Sequence, residues 1–296
     1  MNKPIPRFAD WFRKVFGHHL LALSGLAGFL GFVLVAVFAP LLASQNPYDL
    51  TKLDIMDGLL PPMSMMGNGA TCWLGTDALG RDVLSTVMYG LRISLFVAFA
   101  SVIVGTLIGV FLGLIAAQRG GWVETFIMRT VDLKVSFPGI LLALMLLAIF
   151  GTGIDKIIYA LIIGIWASKA RLTRSTALSE MQKEYIAAAR LSGLGNWRIM
   201  LRFLLPNSIA PVLVMVPMSL SGAIGAEATL SFLGVGVPIT EPSLGLLIAN
   251  GNDYLLSGKW WISIFPGVVL VVMVLCINVV ADRIREFGNP YLQNIG

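Results

Sequence analysis

Long apolar runs alternate along the chain with polar segments that carry most of its charge. The first run, Leu20 to Ala43, is preceded by Lys3, Arg7, Arg13 and Lys14. At about 1.5 Å of helical rise per residue it is long enough to cross a bilayer. It outruns the roughly 7–15 apolar residues of a signal peptide, so an uncleaved first membrane helix is predicted. A polar stretch rich in Pro, Asp and Gly, Gln45 to Gly90, separates it from a second run, Leu91 to Ala117. In that run Gly105, Gly109 and Gly113 stand four residues apart. Such a stripe either lets another helix approach closely or reflects the ordinary tolerance of membrane helices for glycine. Further spans are predicted over 138–150, opened by Pro138, and over 157–167, 208–236 and 262–281. The apolar cores at 138–150 and 157–167 are short and are expected to extend through their flanks. The pattern predicts an all-α, polytopic membrane protein with six transmembrane helices.

Composition narrows the class. Only 12% of the 296 residues are charged and 57% are hydrophobic, against about 25% charge in soluble domains. A soluble globular enzyme, a disordered tail and a disulfide scaffold are excluded. The net charge of +5 does not point to nucleic acid. Most of the 21 Lys and Arg fall in 1–19, 118–137, 168–207 and 282–296. Under the positive-inside rule this places both termini in the cytoplasm, N-in and C-in. Cys72 lies in a polar loop and Cys276 in an apolar run, so they are expected to stay unpaired. His18 and His19 have no further ligands nearby and read as interfacial anchors.

The stretch from Lys169 to Asn207 is polar and basic. Ala187 to Arg190 favours helix, Gly193 and Gly195 stop it, and Trp197 to Leu205 reads as a second short helix. Pro206 is expected to break the chain into the fifth span. Two helices at an angle, with small alanines on one face, form a knob that fits a partner's groove. The plainer reading is a solvated basic loop that only sets topology. Glu227 lies among Gly222, Ala223, Gly225, Ala226 and Ala228. A carboxylate inside a span belongs on the bundle interior or a hydrated cavity. It therefore either lines a translocation pathway or bonds structurally to a neighbouring helix. Asp77, Arg81 and Asp82 sit before the second span, either as a rigid ledge for an outer partner or as local ion pairs. Thr76 or Asp77 is the expected N-cap of a short interfacial helix there. Trp260 and Trp261 fit an aromatic belt.

With those residues in view, the segment resembles the cytoplasmic loop of binding-protein-dependent ABC importer permeases, Glu-Ala-Ala-x3-Gly-x9-Ile-x-Leu-Pro. Ala188-Ala189, Gly193 and Leu205-Pro206 stand at those spacings. The glutamate position holds Ala187 and the isoleucine position Phe203, with Glu184 the nearby carboxylate. Leu74-Gly-Thr-Asp-Ala-Leu-Gly-Arg-Asp-Val-Leu-Ser85, Tyr89-Gly90 and Arg92 are similar to the second permease subunit of dipeptide, oligopeptide and nickel importers. So are Arg171-Leu-Thr-Arg174, Leu230-Ser-Phe-Leu-Gly-Val-Gly236, Phe265-Pro-Gly267 and Asn278 with Asp282 and Arg285. Pro242-Ser-Leu-Gly245 departs from the family, which has a tryptophan before the glycine.

The resemblance implies a type I importer permease fold in a bacterial inner membrane, paired with a homologous permease and surrounded by lipid. It implies two ATPase subunits and an extracytoplasmic binding protein as partners. ATP and magnesium would be held by the ATPases, with no cofactor, metal or catalytic residue in this chain. The coupling residues it implies are Glu184, Ala188, Ala189, Arg190, Gly193, Leu205 and Pro206. Glu227 is the pathway candidate, and Asp77, Arg81 and Asp82 are the outer-face candidates. The cargo would be short peptides, or alternatively nickel or a metal chelate. Residues 1–90 would form the N-terminal cytoplasmic segment, first helix and long outer loop, and 91–296 a five-helix core with the cytoplasmic coupling loop at about 169–207. No G-x-x-x-x-G-K-[ST] phosphate loop occurs, in keeping with a separate ATPase. An ATPase-independent channel or carrier would need broken midplane helices and several intramembrane charges. An intramembrane enzyme would need a nucleophile–base pair, which the spans do not offer.

Overall fold

A computed structural model describes residues 15–17, 19–49, 53–67, 69–238 and 240–287. Lys3, Arg7, Arg13, Lys14, His18 and Lys52 lie outside the described residues. The chain divides into two compact units, residues 1–97 with 224–296, and residues 98–223.

Helices dominate. α1 is Leu20–Leu42, and α2 is Val83–Arg119. Between them lie a 3-10 turn, Ile55–Asp57, and a short antiparallel ribbon, β1 Ser64–Met65 with β2 Thr71–Cys72, in register Ser64↔Cys72. α2 begins well before the predicted Leu91 because Asp82 caps it. The Asp82 carboxylate accepts from Ser85 N–H at 3.0 Å and Ser85 Oγ at 2.6 Å, the bond that satisfies an orphan N–H of a first turn. The short interfacial helix expected after Thr76 or Asp77 is instead a turn, closed by Gly80 N–H donating to Asp77 O at 3.2 Å. Both cysteines are unbridged.

α3 is Gly121–Ser136 and α4 is Gly139–Phe150, bent by 93° across Phe137-Pro138. Pro138 enforces the bend, since the residue before proline is driven out of helical conformation. α5, Ile154–Met181, runs far beyond the predicted 157–167. α6 is Glu184–Leu191, and α7, Asn196–Ile199, continues through a π turn, Met200–Leu204, into α8, Leu205–Val214. Pro206 thus does not break the chain. The wider π turn just before it absorbs the missing N–H donor, so the helix passes through. The interruption comes at Met215 instead, before α9, Val216–Phe232. α10, Leu244–Asn252, and α11, Trp261–Phe287, complete the order.

Among the described residues, four helical runs are long and apolar enough to span: α1, α2, Asn196–Val214 and α11. The bent pair α3–α4 makes five. The predicted count of six simple spans is corrected on two elements. The apolar part of α5 is crowded by Asp155, Lys156, Lys169 and Arg171. The predicted span 208–236 is divided at Met215.

In the second unit the glycine stripe is a contact surface. A Cβ on Gly109 would stand 2.5 Å from the Trp166 carbonyl oxygen, and one on Gly113 2.5 Å from that of Ala170. Gly105 faces Ile165 at 3.0 Å. α2 and α5 therefore meet backbone to backbone, the close approach that small residues permit. α3 lies on an adjoining face of α5, where Val131 packs on Ala167 and Ala170. Arg171–Asp132 at 2.7 Å and Arg174–Glu124 tie the same pair. In the first unit α1 packs on α11, with Gly28 against Cys276 Sγ, 2.7 Å from a built Cβ.

Gly109→Leu is expected to lower thermal stability of the solubilised chain by at least about 1–3 kcal/mol, the usual cost of overpacking. Gly164→Leu, on α5 with nothing within 4 Å of its Cβ, is the control. It should be neutral or gain up to about 1 kcal/mol from helix propensity. Equal melting temperatures for the two variants would remove the close-approach role.

Candidate functional site

The segment after α5 folds as a knob. Glu184 stands in the first turn of α6 and Arg190 in the last, as the helix dipole favours. Gly193 N–H donates to Arg190 O at 3.0 Å and Leu194 N–H to Ala189 O at 3.2 Å. With φ of +76° at Gly193, this is a Schellman termination, whose left-handed residue is best a glycine. Nothing lies within 4 Å of a Cβ built on Gly193. The demand for glycine is conformational, not steric.

The knob has its own core. Ile186 and Ala189 pack with Leu114, Ala177, Ile199 and Leu204. This divides the alanine pair: Ala189 is buried inward, whereas Ala188 is exposed. A single helical step of about 100° separates their directions. Leu205 is half-buried against the same core, and Pro206 is exposed. The outer surface carries Leu191, 90% exposed, with Trp197 and Leu201 about half exposed. Glu184, Arg190, Arg198 and Arg202 are also exposed. Trp197 stacks on Phe111 with centroids 6.4 Å apart, and Gln118 Nε2 donates to the Asn196 carbonyl.

Tyr185 ties the ends of the knob together. Its hydroxyl donates to the Glu180 carboxylate and accepts from Asn207 Nδ2 at 3.3 Å, while Lys183 pairs with Glu180 at 2.6 Å. Burial, then the bond to Glu180 and that residue's charge, push the Tyr185 pKa up to about 12. Between its ordinary value of 10.0 and about 12 the folded chain holds a proton that the unfolded chain has released. Stability from this contact is thus present below that window and falls as pH rises through it.

Glu227 is fully enclosed within the first unit, at 0% exposure. Ser94 Oγ donates to Glu227 Oε2 at 2.7 Å, and Ser231 Oγ to Oε1 at 2.7 Å. Leu244 N–H donates in turn to Ser94 Oγ, and Val237 N–H to Ser231 Oγ, each at 3.4 Å. One carboxylate therefore joins α2, α9 and the start of α10. Gly245 permits this, since a Cβ there would stand 2.3 Å from the Ala228 carbonyl oxygen.

The outer candidates are buried rather than displayed. Asp77 Oδ2 pairs with Arg81 Nε at 2.7 Å, and Asp77 Oδ1 accepts from the N–H groups of Leu79 and Arg81 at 2.9 and 3.0 Å. Asp82 also accepts from Ser44 Oγ at 3.1 Å. Trp261 does not sit in an exposed belt with Trp260. It is buried, and its indole N–H donates to Thr76 O at 3.1 Å. A built Cβ on Gly75 would lie 2.7 Å from that indole.

The family model described as "Binding-protein-dependent transport system inner membrane component" matches residues 109–292. The chain belongs to that family. A second model, "N-terminal TM domain of oligopeptide transport permease C", matches residues 8–62 of the permease. A relative from Pseudomonas aeruginosa, "Di/tripeptide transport system permease protein DppC", is 38% identical over 98% of this chain and 94% of its own. "Dipeptide transport system permease protein DppC" of Haemophilus influenzae is 33% identical over 98% of this chain and 96% of its own. The inward-facing MetNI methionine ABC transporter shares the fold, with TM-score 0.54 at 23% identity over 70% of this chain and 97% of that one. The permease is a multi-pass protein of the bacterial inner membrane with the fold of type I ABC importer permeases. It is the permease subunit of a binding-protein-dependent importer.

Ser94 does not stand out in the sequence, whereas Ser231 belongs to the Leu230–Gly236 motif and lies one helical turn from Glu227, on its face. Ser94→Ala and Glu227→Gln are expected to be strongly non-additive, with a coupling of about 0.5–3 kcal/mol for groups in one network. A double-mutant cycle on thermal unfolding of the solubilised permease reads it, and simple additivity would dissolve the network. Gly193→Ala should cost about 1–2 kcal/mol, the left-handed penalty of an L residue, read by the same melting experiment.

Proposed function

We propose that the permease forms half of a translocation pathway for short peptides, together with a homologous second permease. Two ATPase subunits bind ATP and magnesium and drive it, and an extracytoplasmic binding protein delivers the cargo. In this reading the chain itself catalyses no reaction. Both termini and the knob face the cytoplasm, where the knob docks in a groove of an ATPase.

The observation that carries the reading is the outer surface of the knob. Leu191 and Trp197 are large apolar groups held in water, between Arg190, Arg198 and Arg202. Apolar anchors within a charged rim suit a protein partner. The rigid Schellman turn at Gly193 fixes α6 relative to α7, so a push on one is carried to the other. The peptide assignment is supported by the names of relatives at 33–38% identity over nearly the whole chain.

Copurification of the assembled transporter, followed by identification of the ligand on its binding protein, tests the cargo. A bound short peptide is expected, and nickel or a metal chelate in its place would redirect the assignment. For the knob, Ala188→Cys should cross-link efficiently to an ATPase subunit. Ala189→Cys, pointing into the core, should cross-link at least about tenfold less. Efficient cross-linking of Ala188→Cys to the binding protein would reverse the orientation.

A further inference from the structure

The α4–α5 hairpin of the second unit encloses a recess of about 450 Å3. That size falls within the roughly 300–1,000 Å3 of small-molecule sites. Its walls are Leu146, Leu147, Phe150, Tyr159, Ala160 and Ile163, and Asp155 and Lys156 stand at its polar edge. Phe150 and Tyr159 are both more than 60% exposed, so the opening is flanked by apolar side chains turned outward. The polar edge is held in shape by backbone. Gly151 and Gly153 take φ of +84° and +150°, which side chains disfavour. Lys156 Nζ donates to the Thr152 carbonyl at 2.9 Å, which leaves further ammonium donors for another acceptor. Asp155 lies beside it in the first turn of α5.

An apolar chamber edged by one carboxylate and one ammonium matches an amphiphile that is itself zwitterionic. We propose that this recess is a lipid site that takes an acyl chain of an amine-bearing glycerophospholipid, with the lipid phosphate on Lys156 and its ammonium at Asp155. Other occupants fit less well. Water would find few polar partners along the apolar walls. An extended peptide segment would bury backbone donors and acceptors unpaired. A purely anionic headgroup would satisfy Lys156 but bring like charge against Asp155. The lipid would brace the hairpin at its turn, beside the Lys156 bond to the Thr152 carbonyl.

The assembled transporter, reconstituted in vesicles of equal parts phosphatidylethanolamine and phosphatidylglycerol, tests this. Each vesicle set carries a trace of one headgroup with a photoactivatable acyl chain, and labelled peptides are mapped by mass spectrometry. With labelling of α1 as the internal reference, the phosphatidylethanolamine probe should label 146–163 about fivefold more than the phosphatidylglycerol probe. That ratio is what about 1 kcal/mol per interfacial charge gives. Asp155→Asn should erase the preference, and Lys156→Gln should lower labelling by both probes about fivefold. Copurifying ATPase shows that each variant assembles. Equal labelling by the two probes in the unmodified protein would mean bulk lipid only and would overturn the proposal. So would Tyr159→Cys cross-linking to the second permease with no lipid label on 146–163, since the recess would then be a protein interface.

Discussion

The backbone-to-backbone meeting of α2 and α5 is the constraint on which the second unit depends. In hydrocarbon the hydrophobic effect gives helices no reason to associate, so packing and hydrogen bonds must do it. Gly109 and Gly113 remove the side chains that would hold the axes apart. What this close approach presents to the interior of α5 is Lys169, which is fully buried. Its ammonium reaches the Met215 carbonyl at 3.3 Å, at the interruption between α8 and α9. A buried charge needs a fixed partner, and here the partner is the one place where the helix pair pauses. From the far end of α5 hang α6 and the knob, which use Leu114 and Ala117 of α2 as their floor. The glycine stripe, the buried lysine and the knob are thus one mechanical column.

The first unit is organised by polar groups instead. Glu227 gathers hydroxyls from two helices, and Thr76 gathers Leu60 N–H, the Asp57 carbonyl and the Trp261 indole. Buried polar networks of this kind are costly when half satisfied and specifying when complete. They fix where the long segment between α1 and α2 sits, a task that its scatter of Pro and Gly could not accomplish through apolar packing alone.

Much of this was legible in the residues. α1, α2 and α11 follow from uninterrupted apolar length, and Gly193 from its place after a helix-forming run. α5 was not, because its charges sit inside a continuous helix and a hydropathy pattern ends where charge begins. Pro206 misleads for a related reason: proline signals a break, and the π turn that accommodates it leaves no trace in composition. The alanine pair shows the finest limit. Sequence spacing places Ala188 and Ala189 together, but adjacent helical positions point in different directions, and only the core around Ile186 decides which one turns inward. Glu227 was legible as an interior group, while its partner Ser94 lies 133 residues away, beyond any local pattern.

The π turn at Met200–Leu204 has a consequence for phase. An α-helix advances about 100° per residue and a wider turn advances less. Buried Ile199 before it, Met200 and Leu204 at its two ends, and Ser208 and Val212 after it therefore belong to two stripes joined by a local change of pitch. The knob and the span that continues from it each keep an inward face without sharing one winding. Evolution can retune either face by moving a single residue across that turn, leaving the rotational setting of the other intact.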